Sequence, residues 1–446
     1  MIIFCESAKE KLCDFFVKFI LQAEIMSPRA SSSQDIDFVG DLISPMPARN
    51  FLDAYWGKHF VHVEGSRNKF SHLFSWDQLN TALEQYPFEP PRLRLNRDGR
   101  DIGVEQYIST ENLGNREIVR RLKSSEMINE LRHGATLILS SADDLSFPLK
   151  DLCKGLERVF KTRVIANLYA VFTSGHPYPL QWDSQDTFIL QLSGRKKWVV
   201  FEATQPHPLR EYNEAPPQPT GAPIWDGILE QGGLFHIPRG WWRTVSPGDE
   251  PSLHLKITVK GPTGLDFLTW CADGLKRSSL VMSNAPLFEC PESRRRYAET
   301  LKDEFISSLT AAAVERFLES RESSQAPRPE FSLPDAAITT STSIRNNDLL
   351  KLASPRPLVL ASEVVGSSTL TFEYGGKAWQ CPAFLHPTLS LLNDMQSHRL
   401  SELLTSAPHP EQMTGIRQFV HELVKVGILT KAEAPEHSDE SEDSHL

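Results

Sequence analysis

Two blocks of period-2 patterning, Val164–Val200 and Gly232–Val259, limit what this chain can fold into. In the first, Val164, Ala166, Leu168 and Ala170 alternate with Ile165, Asn167, Tyr169 and Val171. Further on, Phe188, Leu190 and Leu192 alternate with Ile189, Gln191 and Ser193. An extended chain points successive side chains to opposite faces, so this spacing reads as strands with one face in a core. Gly194 then turns the chain into a strand around Trp198 to Phe201. Gly, Pro, Ser and Asp bound the runs, as turns require. Two such hairpin-rich blocks predict a small β-barrel or jelly roll that holds a ligand in its mouth.

At 446 residues the chain exceeds one core. Its 47 basic and 57 acidic residues give a net charge of −10, which supplies no basic footprint for nucleic acid. Six cysteines lie at 5, 13, 153, 271, 290 and 381 with no CxxC spacing. They read as reduced thiols, the pattern of a cytoplasmic protein. Near the start, Phe15, Phe16, Phe19 and Ile20 lie beside Lys9, Lys11 and Lys18. This is a short amphipathic helix, too charged for a signal peptide or a membrane span. Met26, followed by the polar SPRASSSQD, is an alternative start to Met1.

Trp76 to Tyr86 reads as a helix with Ser75 as N-cap. Leu152, Cys153, Leu156, Val159 and Phe160 form an apolar helix face that should pack on the strands. Gln205 to Pro223 is a Pro-rich loop, either a cap over the pocket or an inert surface loop. After Gly261 the pattern turns helical. Ser323 to Asn347 is a Ser/Thr/Pro-rich linker. Pro387–Gln396, Leu400–Ser406 and Pro410–Val426 read as three helices, with GILT ending in a strand. Arg399, Arg417 and Lys425 there are balanced by Asp394, Glu402, Glu411 and Glu422, which favours a protein contact over DNA. The tail EAPEHSDESEDSHL is acidic and reads as disordered.

The segment QWDSQDTFILQLSGRKKW resembles the HxD strand and following hairpin of the Jumonji C (JmjC) oxygenases. GGLFHIPRGWW with SLHLKIT resembles their second metal-binding strand, and FLDAYWGKHFVHVEG and GATLILSSADDLSFPLKDLCKGLERVF resemble earlier motifs of the ribosomal oxygenase branch. That branch comprises iron(II)- and 2-oxoglutarate-dependent hydroxylases of ribosomal proteins. The resemblance implies an α+β fold: a JmjC double-stranded β-helix (a cupin-like jelly roll), a helical dimerisation region and a C-terminal winged helix. The chain is expected to divide into an N-terminal extension at 1–35, the barrel domain at 36–260, the dimerisation helices at 261–325, a linker at 326–367, the winged helix at 368–431 and the tail at 432–446, the extension having no counterpart in the family. It also implies a homodimer and a protein or peptide partner of ribosomal kind, while the charge balance and the charged leader speak against nucleic acid and membrane as partners.

The chain departs from this pattern at the metal. The family binds iron with His-x-Asp and a distant His, leaving positions open for cosubstrate and oxygen. Here those positions are Gln181, Asp183 and Arg243. A Gln carbonyl is a poor substitute for imidazole, and a guanidinium has no lone pair to offer a metal. Asp183 and Arg243 are expected to face each other as a charge-assisted, often bidentate pair. Asp183 is then a ligand only if a metal binds, and no catalytic residue is expected. Asn167, Lys196 and Thr258 match the branch's 2-oxoglutarate contacts by position. His176, His236 and His254 are alternative ligands without the spacing that fixes two on one face. Two functions stay open. One is a non-catalytic binding scaffold without cofactor. The other is an enzyme: a 2-oxoglutarate and iron(II) dioxygenase with atypical ligands, or metal-free chemistry in the same pocket.

Overall fold

The computed structural model describes residues 33–112, 118–172, 177–209, 215–325, 328–337, 344–360 and 368–432. The amphipathic leader, His176, the middle of the Pro-rich loop, parts of the linker and the acidic tail lie outside the described residues. The chain divides into two compact units, with the break between Thr263 and Gly264.

In the first unit the strands are β1 (Val61–Val63), β2 (Leu93–Arg97), β3 (Arg100–Asp101), β4 (Ile108–Asn112), β5 (Ile118–Leu122), β6 (Thr136–Leu139) and β7 (Val164–Val171). They continue with β8 (Gln181–Trp182), β9 (Asp186–Ser193), β10 (Lys196–Phe201), β11 (Trp225–Leu229), β12 (Leu234–Ile237), β13 (Trp242–Ser246) and β14 (Ser252–Val259). Eight form one sheet in the order β1-β12-β9-β14-β7-β6-β2-β3, and four form a second, β11-β10-β13-β8.

The expected closed barrel, a jelly roll or double-stranded β-helix, does not form. Each sheet is open: β1 and β3 end the large one, β11 and β8 the small one, and no ladder among the described residues joins the ends. Closure requires the last strand to hydrogen-bond the first. The terminal strands are too short for that. β1 has three residues, and β3 and β8 two each. Pro177 and Pro179, which lack an N–H, precede β8 and help to keep it short. The architecture is α+β, with two open antiparallel sheets packed on each other. Ile189, Phe235 and Ile237 of the large sheet meet Trp198 and Leu229 of the small one in a shared apolar layer.

The alternation read from the sequence explains both faces of the large sheet. Val164, Ala166, Leu168, Phe188, Leu190, Leu253, Leu255 and Ile257 enter the main core on the side away from the small sheet. There the helix Phe147–Phe160 adds Leu149, Cys153 and Leu156. The helix Trp76–Gln85 starts in a capping box, with Gln78 N–H donating to Ser75 Oγ and Ser75 N–H to Gln78 Oε1. Gly194, at φ +65°, makes the turn from β9 to β10; a Cβ there would lie 2.3 Å from the Pro251 carbonyl oxygen.

The second unit holds the helices Gly264–Gly274, Pro291–Ser308 and Ala311–Ser324, then two three-stranded sheets with the helices His386–Leu392, Leu400–Thr405 and Met413–Lys425. Part of the stretch expected as linker is structured. Leu349–Leu352 pairs with Leu429–Ala432, and Leu350 and Leu352 are buried in that unit's core. In sequence Leu349-Leu350-Lys351-Leu352 does not alternate apolar with polar; the alternation of half-buried and buried side chains appears only in the folded strand.

Candidate functional site

The face of the large sheet opposite the main core is apolar at Ile189, Phe235 and Ile237 and turns polar along β14 and β7. Along β14, His254, Lys256 and Thr258 share that face, set against Tyr169, Asn167 and Ile165 of β7. On the other side Lys256 pairs with Ile189 and Thr258 with Thr187 of β9. From the small sheet, β13 pairs with β8 so that Arg243 stands opposite Gln181, and with β10 so that it stands opposite Val200. Asp183 follows β8 directly, and its carbonyl accepts from Gly240 N–H at 2.8 Å. Gly240 takes φ +85°, the left-handed turn that carries Pro238-Arg239-Gly240 into β13.

These elements bring three charges together. Arg243 Nη2 donates to Asp183 Oδ2 at 2.5 Å. Lys256 Nζ lies 2.9 Å from Asp183 Oδ1 and 2.8 Å from Oδ2. Thr187 Oγ1 donates to Asp183 Oδ2 at 3.3 Å. The pair expected from sequence is present, but Arg243 meets the carboxylate through one nitrogen, and Lys256 spans both oxygens. Burial favours the neutral form of Asp183, yet the Arg243 guanidinium and Lys256 ammonium outweigh it and hold the carboxyl well below the usual range. Lys256 went unrecognised in the sequence reading. Its signal was its place in SLHLKIT, on the same alternating face as His254 and Thr258.

The other expected residues are engaged in different ways. Lys196 is fully buried, and its amine lies 2.9 Å from His254 Nδ1. Burial alone pushes that amine down to about 7. His254 stacks on Tyr169, with ring centroids 4.9 Å apart and 11° between planes. Burial, and then the charges of Lys196, Lys256 and Arg243, push the imidazole far below its usual value, so it is neutral. Asn167 Oδ1 accepts from Ser141 N–H at 3.1 Å. Thr258 Oγ1 donates to the Ile165 carbonyl at 3.3 Å. His236 is elsewhere, packed among Phe51, Trp56 and Phe188 with Nδ1 3.1 Å from the His59 carbonyl.

Iron needs several lone-pair donors converging with open positions. Among the described residues no group of three or more His, Cys, Asp or Glu side chains is placed to hold a metal ion. The one carboxylate at the site already answers two cations, and either cation would repel a divalent ion. The residues present do not fit the metal.

Residues 146–267 match the model of the JmjC domain. Among curated proteins, the chain is 27% identical over 224 residues to a bifunctional lysine-specific demethylase and histidyl-hydroxylase NO66 of Dictyostelium discoideum, covering 49% of this chain and 42% of that protein. It is 26% identical over 253 residues to ribosomal oxygenase 2 of Rattus norvegicus, covering 53% of this chain and 50% of that protein. The chain thus spans half or less of the length of these relatives. Among solved structures, ycfD of E. coli superposes with a TM-score of 0.55 at 16% identity, covering 87% of this chain and 98% of that one. A second structure, YcfD, a ribosomal oxygenase in complex with cobalt and 2-oxoglutarate, gives 0.51 at 15% identity over 87% and 99%. At such identities the structural likeness speaks for the fold. The chain is thus similar to the JmjC domain over residues 146–267 and to the ribosomal oxygenases over about half of its length.

Proposed function

We propose that this protein is a non-catalytic relative of the ribosomal oxygenases, a binding scaffold with an internal ion cluster in place of a metal site. One observation carries the reading: Asp183, the only carboxylate left at the metal-binding positions, is held by Arg243 and Lys256. The positive charge that iron would supply is already covalently part of the chain. A 2-oxoglutarate that normally chelates the iron would also lose that anchor, and Lys196 is turned to His254. The scaffold then works through its surfaces. We read the helices 264–324 as a homodimer contact, and a protein or peptide, of the ribosomal kind named for the relatives, as the partner.

The test is elemental analysis and anaerobic iron(II) titration of the purified protein, followed by oxygen-dependent release of succinate from 2-oxoglutarate. The expected outcome is no stoichiometric metal and no succinate. Near-stoichiometric iron with succinate would overturn the reading. Gln181→His with Arg243→His should restore weak metal binding, and adding Lys256→Met should strengthen it, because the ammonium otherwise occupies both oxygens of Asp183.

A further inference from the structure

A cavity of about 220 Å³ lies within the first unit, on the main-core side of the large sheet. Trp56, Phe160 and Val259 form its apolar wall, and Asp186, Arg239 and Lys260 bring charges to it. Trp56 and Phe160 stack with ring centroids 4.0 Å apart and 25° between planes. Alternation along β9 explains the placement: Thr187 turns to Asp183, so Asp186 turns to the opposite face. Asp186 Oδ1 accepts from the Arg239 backbone N–H at 3.3 Å. The Asp186 side chain is 16% exposed and touches no charged side chain among the described residues. Burial pushes its carboxyl above the ordinary value, against the Arg239 N–H and the Arg239 charge. His236 sharpens the picture. It is fully buried, and its Nδ1 donates to the His59 carbonyl at 3.1 Å, which leaves the lone pair on Nε2. Nε2 has no hydrogen-bond partner among the described residues and lies 3.9 Å from Asp186 Oδ1. An acceptor set behind a buried carboxylate deepens that carboxylate's need for a positive partner. The Arg239 side chain, for its part, makes no hydrogen bond or ion pair among the described residues.

We propose that this cavity binds a free α-amino acid with an apolar side chain, its ammonium on Asp186 and its carboxylate on Arg239. A simple cation would be repelled by Arg239 and Lys260, and a simple anion by Asp186, whereas a zwitterion answers both signs. A guanidinium suits a carboxylate because its planar donors match two oxygens on one carbon. The stacked rings and Val259 give the ligand's side chain an apolar bed. The volume lies below the roughly 300–1,000 Å³ of pockets for drug-sized ligands, which fits a single amino acid better than a peptide. The cavity faces away from the Asp183 cluster, so the inference stands independently of the metal-free reading of that cluster.

The experiment titrates the full chain with L-leucine and L-phenylalanine by calorimetry and by thermal denaturation. Two analogues are run beside them: 2-phenylethylamine, which lacks the carboxylate, and 3-phenylpropanoate, which lacks the ammonium. Saturable binding and a raised midpoint are expected with at least one amino acid, and each analogue should bind about tenfold or more weakly than phenylalanine. Arg239→Met, at a partly exposed position, should weaken amino-acid binding about tenfold without lowering the midpoint of the ligand-free protein. Asp186→Asn should weaken it at least as much. The comparison of ligands on wild type needs no variant, so a variant that fails to fold does not blunt the test. The inference is overturned if neither amino acid binds saturably, if either analogue binds as tightly as phenylalanine, or if Arg239→Met leaves the affinity unchanged.

Discussion

Lys196 shows how a single buried group sets a pH response. Its amine titrates at about 7 in the folded protein because burial disfavours the charged form. In the unfolded chain an ordinary lysine titrates near 10.4. Between those values the unfolded state binds more protons, so stability rises with pH from about 7 toward 10 and is flat below 7. Lys196→Met should remove that slope in urea unfolding followed from pH 6 to 10. An unchanged slope would show that Lys196 is not the group responsible. At the same scale, Gln181, Asp183 and Arg243 could be picked out only through the resemblance to the JmjC oxygenases; residue chemistry then tells that a guanidinium cannot ligate a metal. Lys256 could not be, because its reach to Asp183 depends on how two sheets face each other.

At the scale of elements, the turns decide which strands meet. Gly194 holds φ +65° between β9 and β10, and a Cβ there would collide with the Pro251 carbonyl. Gly194→Ala should therefore destabilise the protein by roughly 1–2 kcal/mol from the backbone alone, with the clash adding to it, as a lowered urea midpoint. A midpoint unchanged from wild type would mean that the turn relaxes without cost. The strand alternation and the capped helix at Trp76 were legible because they are local patterns. The strand Leu349–Leu352 was not, since its partner, Leu429–Ala432, lies about eighty residues away along the sequence.

At the scale of the whole molecule, the cores are separate. The main core of the first unit gathers residues from Val39 to Val259, and that of the second from Ile344 to Leu429. A domain with its own core can fold alone. A fragment of residues 33–263 should accordingly unfold in one cooperative thermal transition. A broad, non-cooperative melt would show that this unit depends on the remainder of the chain. No helix of the described residues is long and apolar enough to cross a membrane.

The sequence by itself determined the β-rich first half, the helical turn after Gly261 and the resemblance to JmjC oxygenases, which sets Gln181 and Arg243 against that family's imidazoles. Each of these follows from residue type or from spacing within a short window. Only the tertiary structure decided that the sheets stay open, because closure depends on whether distant end strands are long enough to pair. It alone decided that Lys196 faces His254 and that Lys256 joins Arg243 on Asp183. Long-range ladders and the packing of one sheet on another set those contacts, and no local pattern encodes them.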